Sequence, residues 1–213
     1  MTELRYERKY LLDLADYRQI RSELLLHPCG LKTQHPDRKI NNIYFDTHDL
    51  NALQTNLFGV QERSKNRLRW YGKAKLPTGN ARWETKMKLN MLGTKSVVVV
   101  NIPEGASITQ IGQLVNRHVD RTAQLIPVLL NSYNRSYFIS ADGKFRFTID
   151  RDLEFTTITA GRKTSQRPFE SRHVIVELKY DREWDDDVSE ILTYLTLRQT
   201  KNSKYVTGML TTP

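Results

Sequence analysis

Apolar and polar residues alternate with a period of two along much of this chain. In residues 4–12, LRYERKYLL, Arg5, Glu7 and Lys9 fall on one side and Leu4, Tyr6 and Tyr10 on the other. Residues 63–72, RSKNRLRWYG, set Arg63, Lys65, Arg67, Arg69 and Tyr71 against Leu68 and Trp70. In residues 82–89, RWETKMKL, Arg82, Glu84, Lys86 and Lys88 oppose Trp83, Thr85, Met87 and Leu89. Lys144, Arg146, Thr148 and Asp150 alternate with Phe145, Phe147 and Ile149, and Glu177, Lys179 and Asp181 with Val176, Leu178 and Tyr180. Side chains two apart share one face of a strand, so each segment predicts a strand with one charged and one mainly apolar face. Further strands are predicted over 38–46, 95–102 and 127–140.

Helical spacing is rarer. Leu14, Tyr17, Ile20 and Leu24 form an apolar stripe over 14–26. Residues 107–119 open with Ser107 and Gln110 in capping-box spacing, followed by Ile108, Ile111, Leu114 and Val115. Residues 185–197 begin with three acids, which favour a helix N-terminus, and carry Val188, Ile191, Leu192 and Leu195. No internal repeat or long linker divides the chain. Residues 75–80 and 159–168 have the composition of loops. The expectation is one β-rich α+β domain, 1–213, with peripheral helices.

Composition narrows the partners. The net charge of +9 in 213 residues points to an anion: nucleic acid, a phosphorylated metabolite, polyphosphate or an acidic membrane surface. Cys29 is the only cysteine, which excludes an internal disulfide and a multi-cysteine metal site. His27, His35, His48, His118 and His173 share no ligand spacing. No apolar run has the length of a transmembrane helix, and MTELRYERKYLL lacks the core of a signal peptide, so the expected location is cytoplasmic.

Any one charged face reads most simply as the wet side of a sheet. Taken together, the strands read differently. Their opposite faces carry Trp70, Trp83, Phe145 and Phe147, which need covering and are expected to be packing residues. The charged faces mix Arg and Lys with a few carboxylates. A closed antiparallel barrel with a polar, basic lumen satisfies both. Such a lumen suits a chain of phosphates, which Arg grips bidentately and Lys neutralises, with carboxylates holding a divalent cation, Mn²⁺ or Mg²⁺.

The same residues carry a family resemblance. ERKY (7–10), NIYFDTHDL (42–50), GVQERSKNRLRWYG (59–72), WETKMKLNMLGTK (83–95), PVLLNSYNRSYFIS (127–140), FRFTIDRDLEF (145–155), VIVELKY (174–180) and KNSKYVTGM (201–209) resemble the VTC domain. That is the catalytic module of the vacuolar transporter chaperone polyphosphate polymerases, in the triphosphate tunnel metalloenzyme superfamily. The resemblance implies an antiparallel β tunnel, ATP and inorganic polyphosphate as partners, and a divalent cation. It implies phosphate contacts for Lys9, Arg67, Arg69, Lys86, Lys88, Arg135 and Lys179, with Tyr133 beside Arg135. Lys201 and Lys204, three apart, are expected to project together from a helix and close on the nucleotide. Arg67, Arg69, Arg135 and Lys204 are the expected catalytic set. Glu177 is the first choice of metal ligand, with Glu7 and Glu84 as weaker candidates. Glu84 serves equally as an ion-pair partner, and Arg146 with Asp150 as a cross-lumen pair.

Two departures qualify the match. Related CYTH hydrolases open with an ExExK strand, whereas Arg5 takes the first Glu position of RYERK. The SPX region and membrane segments of the eukaryotic assemblies have no counterpart in this sequence, so a stand-alone, bacterial module is expected. The implied function is transfer of the γ-phosphoryl of ATP to a polyphosphate chain. The alternatives are a tripolyphosphatase or nucleoside triphosphatase of the same fold, and a non-catalytic polyphosphate- or nucleotide-binding module. Nucleic acid is disfavoured because the aromatics alternate away from the basic residues. Oligomeric state and peripheral membrane association stay open at this stage.

Overall fold

The computed structural model describes residues 5–89, 92–117, 124–164 and 168–212. Leu4 of the first apolar face, residues 90–91 of the 83–95 motif, His118 and Val119 of the helix expected over 107–119, and residues 165–167 of the 159–168 loop lie outside them.

The chain begins with strand β1 (Arg5–Asp13), a 3₁₀ turn over Leu14–Asp16 and helix α1 (Tyr17–Leu25). Strand β2 (Lys32–Asp46), helix α2 (Asn51–Leu57) and strands β3 (Glu62–Tyr71), β4 (Gly79–Leu89) and β5 (Leu92–Ile102) follow. Helix α3 (Ile108–Asn116) leads to the long strands β6 (Ile126–Ile139) and β7 (Arg146–Thr159). The short strands β8 (Arg162–Lys163) and β9 (Phe169–Glu170) precede β10 (His173–Asp181), α4 (Val188–Thr193) and α5 (Lys204–Thr211).

Every strand predicted from alternation is present. β2 starts six residues earlier than 38 because its first half, KTQHPDR, is exposed and lacks an apolar beat. The first helix is shorter than the stripe over 14–26, its opening turn being 3₁₀. α3 carries the expected capping box: the Ser107 hydroxyl accepts from Gln110 N, and the Gln110 side chain accepts from Ser107 N. Two orphan donors of the first turn are thereby satisfied.

The strand order is β1-β10-β7-β6-β2-β3-β4-β5, with β8 and β9 pairing off β7. Among the described residues this path is open, with β1 and β5 at its ends, so the expected closed barrel is corrected to an antiparallel ten-stranded sheet. Alternation dictates which face a side chain takes, but closure depends on strand tilt and shear, which no single segment encodes. The open end agrees with β5 itself, where Val97, Val98 and Val99 are all exposed, as on an edge strand.

The chain forms two compact units. The first comprises 1–38, 133–153 and 171–202; the second comprises 39–132, 154–170 and 203–213. Each has its own apolar core. In the first, Phe147 and Ile149 of β7 and Val174, Val176 and Leu178 of β10 pack with Ile20 and Leu24 of α1. In the second, Ile43, Phe45, Leu68, Trp70 and Trp83 pack with Ile108, Ile111 and Val115 of α3. Trp70 and Trp83 are therefore packing residues, as their parity predicts. No helix among the described residues is long and apolar enough to cross a membrane.

Candidate anion-binding site

The polar faces opposite these cores carry the candidate residues. In the first unit, β1 and β10 pair antiparallel with Lys9 opposite Glu177 and Glu7 opposite Lys179. This register creates a square of alternating charge. Lys9 Nζ stands 3.0 Å from Glu7 Oε1 and 3.6 Å from Glu177 Oε1. Lys179 Nζ stands 3.9 Å from Glu7 Oε2 and 3.7 Å from Glu177 Oε2. Lys9 also donates to the Asn202 carbonyl at 3.3 Å.

Arg135 of β6 joins the square through Glu177. Its guanidinium donates to both Asp150 oxygens, at 2.5 and 2.6 Å, and to Glu177 Oε2 at 3.3 Å. Its charge also lies 5.4 Å from the centre of the buried Tyr133 ring. Burial disfavours the charged guanidinium, but Asp150, Tyr133 and Glu177 outweigh it and raise its pKa well above the usual value. Asp150 therefore pairs with Arg135, while Arg146 is exposed. The cross-lumen Arg146–Asp150 pair is corrected: two residues on one strand face four positions apart are too widely spaced, whereas Arg135 reaches Asp150 from another strand.

In the second unit the centre is Glu84, only 3% exposed. Arg67 lies opposite it across the β3–β4 ladder. Arg67 Nε and Nη2 reach Glu84 Oε2 at 2.8 and 2.7 Å, and Arg69 Nη1 approaches the same oxygen at 3.7 Å. Lys95 of β5 holds Oε1 at 2.7 Å. Burial by itself would raise the Glu84 pKa, but the three cations dominate and hold it at about 2. The Lys95 pKa is lowered as well: burial and the nearby Arg67 and Arg69 outweigh its Glu84 partner. Arg69 is further held by Asn42 Oδ1 at 2.9 Å, and Asn42 by Asn131 at 3.2 Å.

Beyond Glu84 the register brings like charges together. Lys65 of β3 is opposite Lys86 of β4, which is opposite Lys95 of β5, and Arg63 is opposite Lys88. Directly opposed like charges cost stability on a sheet unless each meets a counter-charge, as Lys95 does in Glu84. Lys65 donates to Ser203 Oγ at 2.7 Å, which brings it to the start of α5 and to Lys204. Lys204 is buried as the first residue of α5, whereas Lys201 is exposed and precedes the helix. The expectation that both project from one helix is corrected: Ser203 is the N-cap, accepting from Val206 N, so the helix begins between them.

The metal candidates differ in donor chemistry. Glu7 and Glu177 lie on neighbouring strands and share the same two ammonium groups. A pair of carboxylates suits Mg²⁺ or Mn²⁺, which take one or two carboxylates and complete their shell with phosphate oxygens and water. No group of three His, Cys, Asp or Glu among the described residues forms a ready-made cage. Glu84 fits a metal less well: Arg67 and Lys95 hold its two oxygens at 2.7 Å each, closer than the 3.0–3.9 Å ion pairs at Glu7 and Glu177.

Lys65, Lys95 and Asn42 were not candidate site residues on sequence grounds, and Asp150 was expected to meet Arg146 rather than Arg135. Lys95 is masked by the run of valines after it, which hides parity, and its partner Glu84 is eleven residues away. Asn42 and Asp150 lie in recognisable strands, but their partners come from other strands.

A family model described as the VTC domain matches residues 4–212. No curated protein sequence matches significantly. Among solved structures, a putative adenylyl cyclase from Hippeastrum, described as having a dominant triphosphatase activity, is 12% identical with a TM-score of 0.58, covering 100% of this chain and 97% of that one. A putative adenylate cyclase from Vibrio parahaemolyticus is 11% identical, TM-score 0.55, covering 97% and 99% respectively. One from Bacillus halodurans is 16% identical, TM-score 0.54, covering 94% of each chain. These identities speak to the fold. With a match running from residue 4 to residue 212, the chain belongs to the VTC domain family.

Proposed function

We propose that this protein is a polyphosphate polymerase that transfers the γ-phosphoryl group of ATP to a growing inorganic polyphosphate chain. The family match over residues 4–212 carries this reading. The row of lysines on β3, β4 and β5 supports it, because repeated positive charge suits an extended polyanion better than a single small anion.

The reaction needs no protein nucleophile. A terminal oxygen of the acceptor chain forms the new bond to the γ-phosphorus, and the bond to the β–γ bridging oxygen breaks, releasing ADP. The protein contributes alignment and charge compensation. Arg67 and Arg69 are held by Glu84 and Asn42, so they meet phosphate with little reorganisation. Arg135, fixed by Asp150, and Lys9, Lys86, Lys88, Lys179, Lys201 and Lys204 supply further positive charge, with Tyr133 setting the Arg135 orientation. Glu177, with Glu7, would hold a divalent cation, which neutralises phosphate oxygens when bound.

Incubation with ATP and Mn²⁺, with products sized on a gel, tests this. Long polymer is expected; Glu177→Gln abolishes it and Lys204→Ala slows it on the order of a hundredfold, while circular dichroism stays native. Orthophosphate as sole product favours a second reading, a triphosphatase in which water replaces the acceptor; the Hippeastrum protein of the same fold is the observation behind it. ATP binding without turnover under varied metals identifies a non-catalytic module.

A further inference from the structure

Asp46, the last residue of β2, is buried and meets an unusual set of donors for a carboxylate in so basic a protein. Oδ1 accepts from the backbone N–H groups of Thr47 and Ala52, both at 2.8 Å, and from the Thr47 hydroxyl at 3.4 Å. Oδ2 accepts from Leu53 N at 2.9 Å and from the Tyr205 hydroxyl at 2.5 Å. All of these donors are neutral. The first four tie Asp46 to the start of α2 and fix its rotamer. The fifth ties α5 to the end of β2.

Tyr205 is the residue after Lys204. Its ring is buried and stacks on Tyr44, centroids 5.2 Å apart at 26°. The Tyr44 hydroxyl in turn accepts from Arg67 Nη1 at 3.5 Å. Burial, with the adjacent Asp46 carboxylate and Tyr44, pushes the Tyr205 hydroxyl well up, so it stays protonated and donates. Two further contacts locate α5. Lys65 donates to its N-cap Ser203, and Gly208 lies so close to Phe155 and Leu129 that an added Cβ would stand 2.5 and 2.6 Å from their side chains.

We propose that Asp46 and Tyr205 are a positioning pair for Lys204: they hold the first turn of α5 in the place from which its ammonium group meets phosphate. Tyr205 touches no reacting atom and acts through its neighbour. Its catalytic consequence rests on the phosphoryl-transfer reading above; its structural part, the docking of α5, does not.

Two measurements separate these. The first is amide hydrogen exchange on the full chain without nucleotide. Tyr205→Phe, which keeps the ring stack and loses the hydroxyl, is expected to raise exchange about tenfold or more over 204–211, with β3 and β4 unchanged. Unchanged protection of α5 overturns the proposal whatever the activity. The second is a mutant cycle read by ATP turnover. Tyr205→Phe and Asp46→Asn each lower kcat on the order of tenfold with KM for ATP within about twofold, and Tyr205→Phe adds no further loss to Lys204→Ala. Additive losses mean that Tyr205 acts independently of Lys204 and overturn the positioning role. A wild-type protein that turns over no ATP refutes the phosphoryl-transfer reading, while the exchange result still decides whether the pair docks α5.

Discussion

Glu84 shows how one side chain can be read in two ways until its neighbours are known. Its place on an alternating strand allows a ligand contact, a metal contact or an ion pair. The three cations at its two oxygens identify it as an ion-pair centre that orients Arg67, Arg69 and Lys95. Its pKa of about 2 lies below the ordinary 4.5, so the folded state favours the ionised form. That stability is complete above about pH 4.5 and is lost as pH falls towards 2, amounting to on the order of 2–3 kcal/mol. Denaturant unfolding between pH 6 and 3 should show the fall, and Glu84→Gln should flatten it. At neutral pH the same substitution is expected to destabilise by about 3 kcal/mol, since it leaves three cations without their carboxylate. Unchanged stability in Glu84→Gln would mean that these cations are neutralised elsewhere.

At the scale of elements, α5 is the least expected piece of the site. Its first turn carries Ser203, Lys204 and Tyr205, and its middle carries Gly208, the point of closest approach to Phe155 and Leu129. Replacing glycine by alanine in a helix normally gains up to about 1 kcal/mol. Here overpacking of the added methyl against two core side chains costs about 1–3 kcal/mol, so Gly208→Ala is expected to lower Tm. A higher Tm would show that α5 can shift outward without loss. The strands were legible because alternation is a local property of ten or so residues. The limits of α5, and of the early half of β2, were not. A short helix docked by one hydroxyl and one glycine has no long apolar stripe, and an exposed strand such as KTQHPDR has no apolar beat.

On the scale of the whole molecule, the net charge of +9 resolves into cations already organised on strand faces. Exposed lysines such as Lys86 are screened by salt, whereas buried Arg69 and Arg135 are screened little. Affinity for ATP is therefore expected to fall by about tenfold between roughly 0.05 and 0.5 M salt without vanishing, as followed by calorimetry. No salt dependence would assign binding to the buried arginines alone.

The sequence by itself determined the faces. A period of two commits every residue of a strand to one side of the pleat, and so separates Trp70 and Trp83 from Arg67, Arg69, Lys86 and Lys88 before any contact is known. Its motifs, kept in order from residue 4 to residue 212, likewise determined the family. Tertiary structure alone decided the partners. Lys9 meets Glu177, Arg135 meets Asp150, and Asp46 meets Tyr205 across separations of 168, 15 and 159 residues. Strand pairing and register set the first two meetings and the docking of α5 against the end of β2 sets the third; all arise from the packing of distant segments. The open strand order has the same origin: alternation specifies two faces for a strand, while its neighbours decide where a sheet ends.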